Sequence, residues 1–257
     1  AARTLLPALF VVSAAAASFA GSPTAARGPV KNPDGEVLDE QGVILENAYL
    51  RAAIAANKYA GQVMELTYKP TGHELGAMTP QGYCMDRSGE ERGMFARSGR
   101  DYTGRIVEQT DAHAVAETAY TWDYDYGEKK TEFRVRKTFT LRKGAALLEV
   151  RWAFQNAGEQ EVFFTPWVKH LGGHDDTLLA GPTLLLGQQG PYDPGGAFVK
   201  PVTDWVARLS GQETTDKRPM VLSVMDYAQI FQQFPWRGKH RFTLETVLNR
   251  VTVAPGE

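Results

Sequence analysis

Lys169, His170, His174, Asp175 and Asp176 form a titratable cluster that holds two of the five histidines of the 257-residue chain. Imidazole titrates near neutral pH and so can act as acid or base. Imidazole and carboxylate are also donors for zinc or another divalent ion, and His170, His174 and Asp176 are the ligands in that reading. Two histidines four apart share a face only on a helix, however, and Gly172-Gly173 between them points to a loop. A solvated loop whose charges do no chemistry is the third reading. A second group is aromatic. Trp122, Tyr124, Tyr126, Trp152, Trp167, Trp205, Phe234 and Trp236 have flat apolar faces with polar tips, suited to stacking on the CH groups of a pyranose. Core packing is expected for most of them. Pro235-Trp236-Arg237-Gly238 reads as an exposed loop, in which Arg237 or Lys239 can hold a uronate or phosphate.

Several function classes fall away. A net charge of -2 supplies no basic face for nucleic acid. No glycine-rich loop follows a strand and opens a helix, and no Gly-x-Ser-x-Gly elbow occurs, so neither nucleotide binding nor that hydrolase chemistry has a warrant. Cys84 is the single cysteine, which excludes an internal disulfide and a cysteine-based zinc site. No cofactor is called for. Residues 1–20 combine a basic start, an apolar run shorter than a bilayer span and an Ala-rich exit, the pattern of a secretory signal peptide. That implies a periplasmic or secreted protein with no membrane contact beyond export. Residues 21–40 read as a flexible leader rich in Pro, Gly, Ala and Ser, and 41–257 as one folded domain.

What must position these residues is a set of strands. Val135, Phe139 and Leu141 alternate with Arg136, Thr138, Thr140 and Arg142, and after Lys143-Gly144 the same period of two carries Leu148, Val150, Trp152 and Phe154. Asn156-Ala157-Gly158 marks another turn, and Val162 to Val168 a third strand leading into the histidine loop. Further strands are expected over Gly42 to Leu50, Arg51 to Ile54, Val63 to Tyr68, Gly104 to Thr110, Ala114 to Tyr126, Glu132 to Leu141, Met220 to Met225, Ile230 to Phe234 and Phe242 to Val253. In Ala114 to Tyr126, aromatics at spacing two favour strand over helix. Val202, Trp205, Val206 and Leu209 stand at helical spacing and predict a short helix or turn. Many short strands between turn signals predict an all-β antiparallel sandwich or barrel.

The stretch Gly42 to Leu75 resembles the opening of galactose-mutarotase-like domains. It carries Leu45-Glu46-Asn47 with Leu50, then Gly61, Val63 and Leu66, then Thr71-Gly72-His73-Glu74-Leu75. The likeness continues through Lys137 to Leu141, Leu148-Glu149-Val150, Asn156 with Gly158, Phe242 to Glu245, and Ala254-Pro255-Gly256-Glu257 before the family's last strand. The resemblance implies an antiparallel β-sandwich of the mutarotase-like supersandwich type. It also implies roles for His170, as the acid on a sugar ring oxygen, and for Glu245, as the base at the anomeric hydroxyl. His170 lies in Trp167-Val168-Lys169-His170-Leu171 rather than the family's "NH-x-YF-N-L" setting. Expected substrate contacts are Trp167, His174, Asp176, Trp236 and Arg237, and the expected partner is a mono- or oligosaccharide. The alternative is a non-catalytic sandwich module of a larger polysaccharide-processing or cell-envelope protein.

Overall fold

The computed structural model describes residues 3–5, 7–12, 21–31, 35–70, 72–74, 85–88, 99–126, 129–172, 177–180, 205–209, 220–225, 230–238 and 241–257. The chain is all-β. In order its strands are β1 (Arg3–Leu5), β2 (Pro7–Val12), β3 (Thr24–Lys31), β4 (Val37–Glu46), β5 (Leu50–Ala55), β6 (Gln62–Tyr68) and β7 (His73–Glu74). Next come β8 (Met85–Ser88), β9 (Arg100–Gln109), β10 (His113–Tyr126), β11 (Lys129–Arg142), β12 (Leu147–Asn156), β13 (Val162–Phe164) and β14 (Pro166–Gly172). The last are β15 (Thr177–Ala180), β16 (Trp205–Leu209), β17 (Met220–Met225), β18 (Ile230–Gly238), β19 (Arg241–Leu248) and β20 (Val251–Val253). A single 3-10 turn, Tyr59–Gly61, is the helical element among the described residues.

The strands form antiparallel sheets. The largest runs β15-β16-β17-β2-β12-β11-β10-β9, with β1 also on β12. A five-stranded sheet runs β3-β4-β5-β6-β7, a four-stranded sheet β18-β19-β14-β8, and β13 pairs with β20. Period-2 alternation explains how the two larger sheets meet. On β10–β12 the inward residues Ala116, Tyr120, Trp122, Phe133, Val135, Phe139, Val150 and Trp152 are buried. They join one cluster with Val43, Leu45, Leu50, Ile54, Val63 and Leu66 of the five-stranded sheet. Burying each large apolar side chain contributes on the order of 1.5–3 kcal/mol, so this layer is the main source of stability. Trp122, Tyr124, Phe133, Phe154 and Phe164 close one end, with Phe154 and Phe164 centroids 4.8 Å apart and Tyr124 Oη donating to the Phe163 carbonyl at 2.7 Å.

Two buried asparagines hold the turns. Asn47 Nδ2 donates to the carbonyls of Arg142 (2.7 Å) and Ala145 (2.8 Å), while its Oδ1 accepts from the amides of Tyr49 and Leu50 at 2.8 Å each. It therefore shapes its own turn and ties it to the β11–β12 turn. Asn156 does the same elsewhere: Nδ2 donates to Gln160 O and Val253 O, and Oδ1 accepts from Gly158 N and Thr131 Oγ1. Gly61 has a left-handed φ of +64, and a Cβ there would lie 2.1 Å from Thr118 Oγ1, so only glycine lets the 3-10 turn touch β10.

Three regions differ from expectation. Residues 21–40, read as a leader, contain β3 and the start of β4, with Val30 fully buried. The small side chains suit close strand contact, and Arg27 and Ala25 bridge β3 to β9 through Gly104 O and Gln109 Oε1. Within the apolar run of residues 1–20, β2 pairs with β12 and β17. The helix expected from Val202, Trp205, Val206 and Leu209 is replaced by a strand over Trp205–Leu209, because pairing with both β15 and β17 outweighs the local spacing. Residues 198–204 lie outside the described residues, as do Cys84 and Lys239.

Candidate functional site

The four-stranded sheet carries the residues the sequence singled out. β14 and β19 are antiparallel neighbours, with Trp167 opposite Val247, Val168 opposite Thr246, Lys169 opposite Glu245 and His170 opposite Leu244. Directly opposed residues share a face, and successive residues alternate. Trp167, Lys169, Glu245 and Val247 therefore share one parity. β18 adds Phe234 opposite Glu245 and Trp236 opposite Thr243, which puts Trp236 at that same parity. His170 has the other parity, as does Arg237, which pairs with Phe242. The register thus groups Trp167, Trp236 and Glu245 and separates them from His170 and Arg237. The segment Pro235-Trp236-Arg237-Gly238, expected as a loop, lies in β18, an edge strand where a proline costs no ladder hydrogen bond. His174, Asp175 and Asp176 lie outside the described residues, so the metal reading that uses them does too.

Lys169 Nζ sits 3.2 Å from Glu245 Oε1, with the two side chains 13% and 3% exposed. A cation and a carboxylate this deep in a sheet each lose most of their hydration, so mutual pairing is what makes the position tenable. Half-buried Trp167 stands two residues earlier on the same strand, at the same parity as Lys169. Chemically this places a carboxylate-paired ammonium and an aromatic residue at one parity of the sheet. Glu245 is too enclosed to meet a ligand freely. An acid–base pair of His170 with Glu245 would have to act from positions of opposite parity.

Some residues were not anticipated. Lys169 belongs to the titratable group, but its partner Glu245 comes from a distant strand. Lys137 is fully buried, and its ammonium lies 6.0 Å from the centroid of the Trp152 ring, a cation–π arrangement. Its position between Val135 and Phe139 is an inward one, so the alternation already implied a buried lysine. On the outer side, Arg100 hydrogen-bonds Asp123, Glu132 and Asp101, which hold its guanidinium still more firmly in the charged form. Tyr102 packs on Tyr120 with ring centroids 5.8 Å apart, and burial pushes its phenol above the usual 10.0, opposed by a hydrogen bond with the Gly99 backbone.

No protein-family model matches the chain, and no curated protein does. Among solved structures it is similar to a TPR-domain containing protein from Parabacteroides distasonis. The TM-score is 0.55 at 12% identity, over 100% of this chain and 53% of that one. A second match, at TM-score 0.39 and 13% identity, is a 4-alpha-glucanotransferase from Thermococcus litoralis, over 88% of this chain and 40% of that one. The chain therefore spans about half the length, or less, of these proteins. The first likeness is one of fold alone, and the second carries no argument.

Proposed function

We propose that the protein binds carbohydrate, a mono- or oligosaccharide, as an exported β-sandwich of the galactose-mutarotase-like kind. The binding surface is the face of the four-stranded sheet with Trp167 and Lys169. The observation that carries this reading is the Lys169–Glu245 pair, 3.2 Å apart at the same parity as half-buried Trp167. Sugar recognition needs an apolar plate for ring CH groups and fixed hydrogen-bonding groups at its edge. Here Trp167 is the plate, the Lys169 ammonium donates to hydroxyls, and Glu245 holds that ammonium in place. Trp236 stands at the same parity in the register. Export rests on the signal-like pattern of residues 1–20.

The test is a titration of wild-type protein with a panel of neutral mono- and oligosaccharides, repeated on Trp167→Ala and Lys169→Met. At least one saccharide is expected to bind, with affinity reduced about tenfold or more by Trp167→Ala, since one lost stacking and burial contact is worth on the order of 1.4 kcal/mol or more. A panel without binders, or unchanged affinity in Trp167→Ala, sinks the reading. A second reading, a non-catalytic module of a larger polysaccharide-processing or cell-envelope protein, is favoured by the opposite parity of His170 and Glu245. Ring opening needs acid and base at one bound sugar. Polarimetry distinguishes the two: accelerated anomer interconversion that His170→Ala abolishes rules out the non-catalytic reading.

A further inference from the structure

The outer face of the large sheet carries a separate depression, on the opposite side of β10–β12 from the sandwich core. The outward positions there form cross-strand rows. One is Glu117–Thr138–Arg151, the next Ala119–Arg136–Ala153, and the third Thr121–Arg134–Gln155. In the middle row alanines stand on both sides of Arg136, so the surface falls away between taller neighbours. The resulting cavity is about 450 Å³, within the usual range for small-ligand sites. Its polar lining comes from Asp101, Glu117, Thr121, Arg134, Arg136 and Gln155.

Two backbone features set this patch apart from a plain sheet surface. The β9–β10 register slips between Ala119 and Thr121, a bulge that redirects side chains at the cavity wall. Asp101, at the facing end of β9, has φ +56, a left-handed conformation uncommon outside glycine. The charges are also unevenly paired. Glu117 Oε1 takes two hydrogen bonds from Arg105, at 2.9 and 2.7 Å, and its Oε2 lies 3.9 Å from Arg136 Nε. Asp101 is paired with Arg100 at 2.8 Å. Glu117 is thus held by two arginines, and Asp101 shares Arg100 with Asp123 and Glu132, whereas Arg134, exposed on the cavity wall, has no carboxylate partner among the described residues. What the cavity offers is this guanidinium, beside the Thr121 hydroxyl and the Gln155 amide, whose Nε2 also donates to Gly256 O at 3.2 Å.

We propose that this cavity binds a small polyhydroxylated ligand bearing one oxyanion, a carboxylate or a phosphate. Arg134 takes the oxyanion, the planar guanidinium matching two oxygens at once. Thr121 and Gln155 take hydroxyl groups, and Ala119 and Ala153 form the floor. This site uses none of Trp167, Lys169 or Glu245, so it stands or falls separately from the neutral-sugar surface proposed above.

The test is calorimetric titration of the whole chain, at low salt, with galacturonate, glucose 6-phosphate, galactose and inorganic phosphate. Galacturonate, glucose 6-phosphate or both are expected to bind, with galactose and inorganic phosphate at least about tenfold weaker. The preferred probe identifies the oxyanion as carboxylate or phosphate. Arg134→Gln should cost about tenfold, and Ala153→Leu or Ala119→Leu, filling the floor from an outward position, should abolish binding. Trp167→Ala should leave it unchanged. Far-UV circular dichroism checks that each variant folds, and two floor variants guard against one failing. The proposal is overturned if neither acidic probe binds, or if inorganic phosphate binds as tightly as the sugar phosphate. It is equally overturned if affinity survives Arg134→Gln or both floor variants, or if Trp167→Ala removes it.

Discussion

Replacing Asn47 by alanine tests how this sandwich is held together. The side chain is 3% exposed and makes four hydrogen bonds of 2.7–2.8 Å, two to carbonyls of the β11–β12 turn and two from amides of its own turn. Each such bond contributes on the order of 1 kcal/mol net, and a buried amide left without an acceptor costs about 1–3 kcal/mol. Asn47→Ala removes all four together and leaves the amides of Tyr49 and Leu50 without their side-chain acceptor. We expect a loss of about 4 kcal/mol, a large part of the roughly 5–15 kcal/mol that stabilises a typical domain. At about 2–4 °C per kcal/mol for a chain of this size, Tm falls by roughly 8–16 °C. Urea and thermal unfolding followed by far-UV circular dichroism measure both numbers. Lys143→Gln, an exposed turn position, is the control and should stay within about 0.5 kcal/mol of wild type. A loss below about 1 kcal/mol for Asn47→Ala would refute the view that this amide couples the two turns.

Two further outcomes follow from the same physics. Gly61→Ala should destabilise the protein by more than about 2 kcal/mol, since it combines a left-handed φ of +64 with a Cβ placed 2.1 Å from Thr118 Oγ1. Thr118→Ala should relieve only the contact, so a double variant regains part of the loss, and full recovery by chemical denaturation would count against the backbone share. For Tyr102, burial keeps the folded phenol protonated at pH values where the unfolded chain has ionised it. Its contribution is therefore complete below the ordinary phenol pKa of 10.0 and is lost as pH rises from there through the folded value. Tyr102→Phe should lose less Tm than wild type between about pH 9 and about pH 11, and equal losses would contradict the assignment.

The strands were legible because their signal is local. Val135, Phe139 and Leu141, then Leu148, Val150, Trp152 and Phe154, alternate in the chain and are buried as the alternation implies. The same pattern put Lys137 inside, a consequence visible in sequence but easily passed over. The short motifs around Asn47, and Asn156 with Gly158, turn out to carry turn geometry through side-chain hydrogen bonds, so they speak for architecture rather than chemistry. The pairing of β14 with β19 was not legible. These strands lie some seventy residues apart, and a shift of one residue exchanges which side chains share a face. That single step groups Glu245 with Lys169 and Trp167 instead of with His170. Trp236 was read as a loop residue because Pro and Gly flank it, yet an edge strand accommodates that proline.

Hydrogen–deuterium exchange with and without a saccharide found to bind reports which strands the ligand covers, and so whether β14 and β19 form the binding surface. Slowed exchange is expected in Trp167–His170 of β14 and Thr243–Val247 of β19, with Asn47 and its turn unaffected. Protection that falls elsewhere, or none in these two strands under saturating ligand, would contradict this expectation.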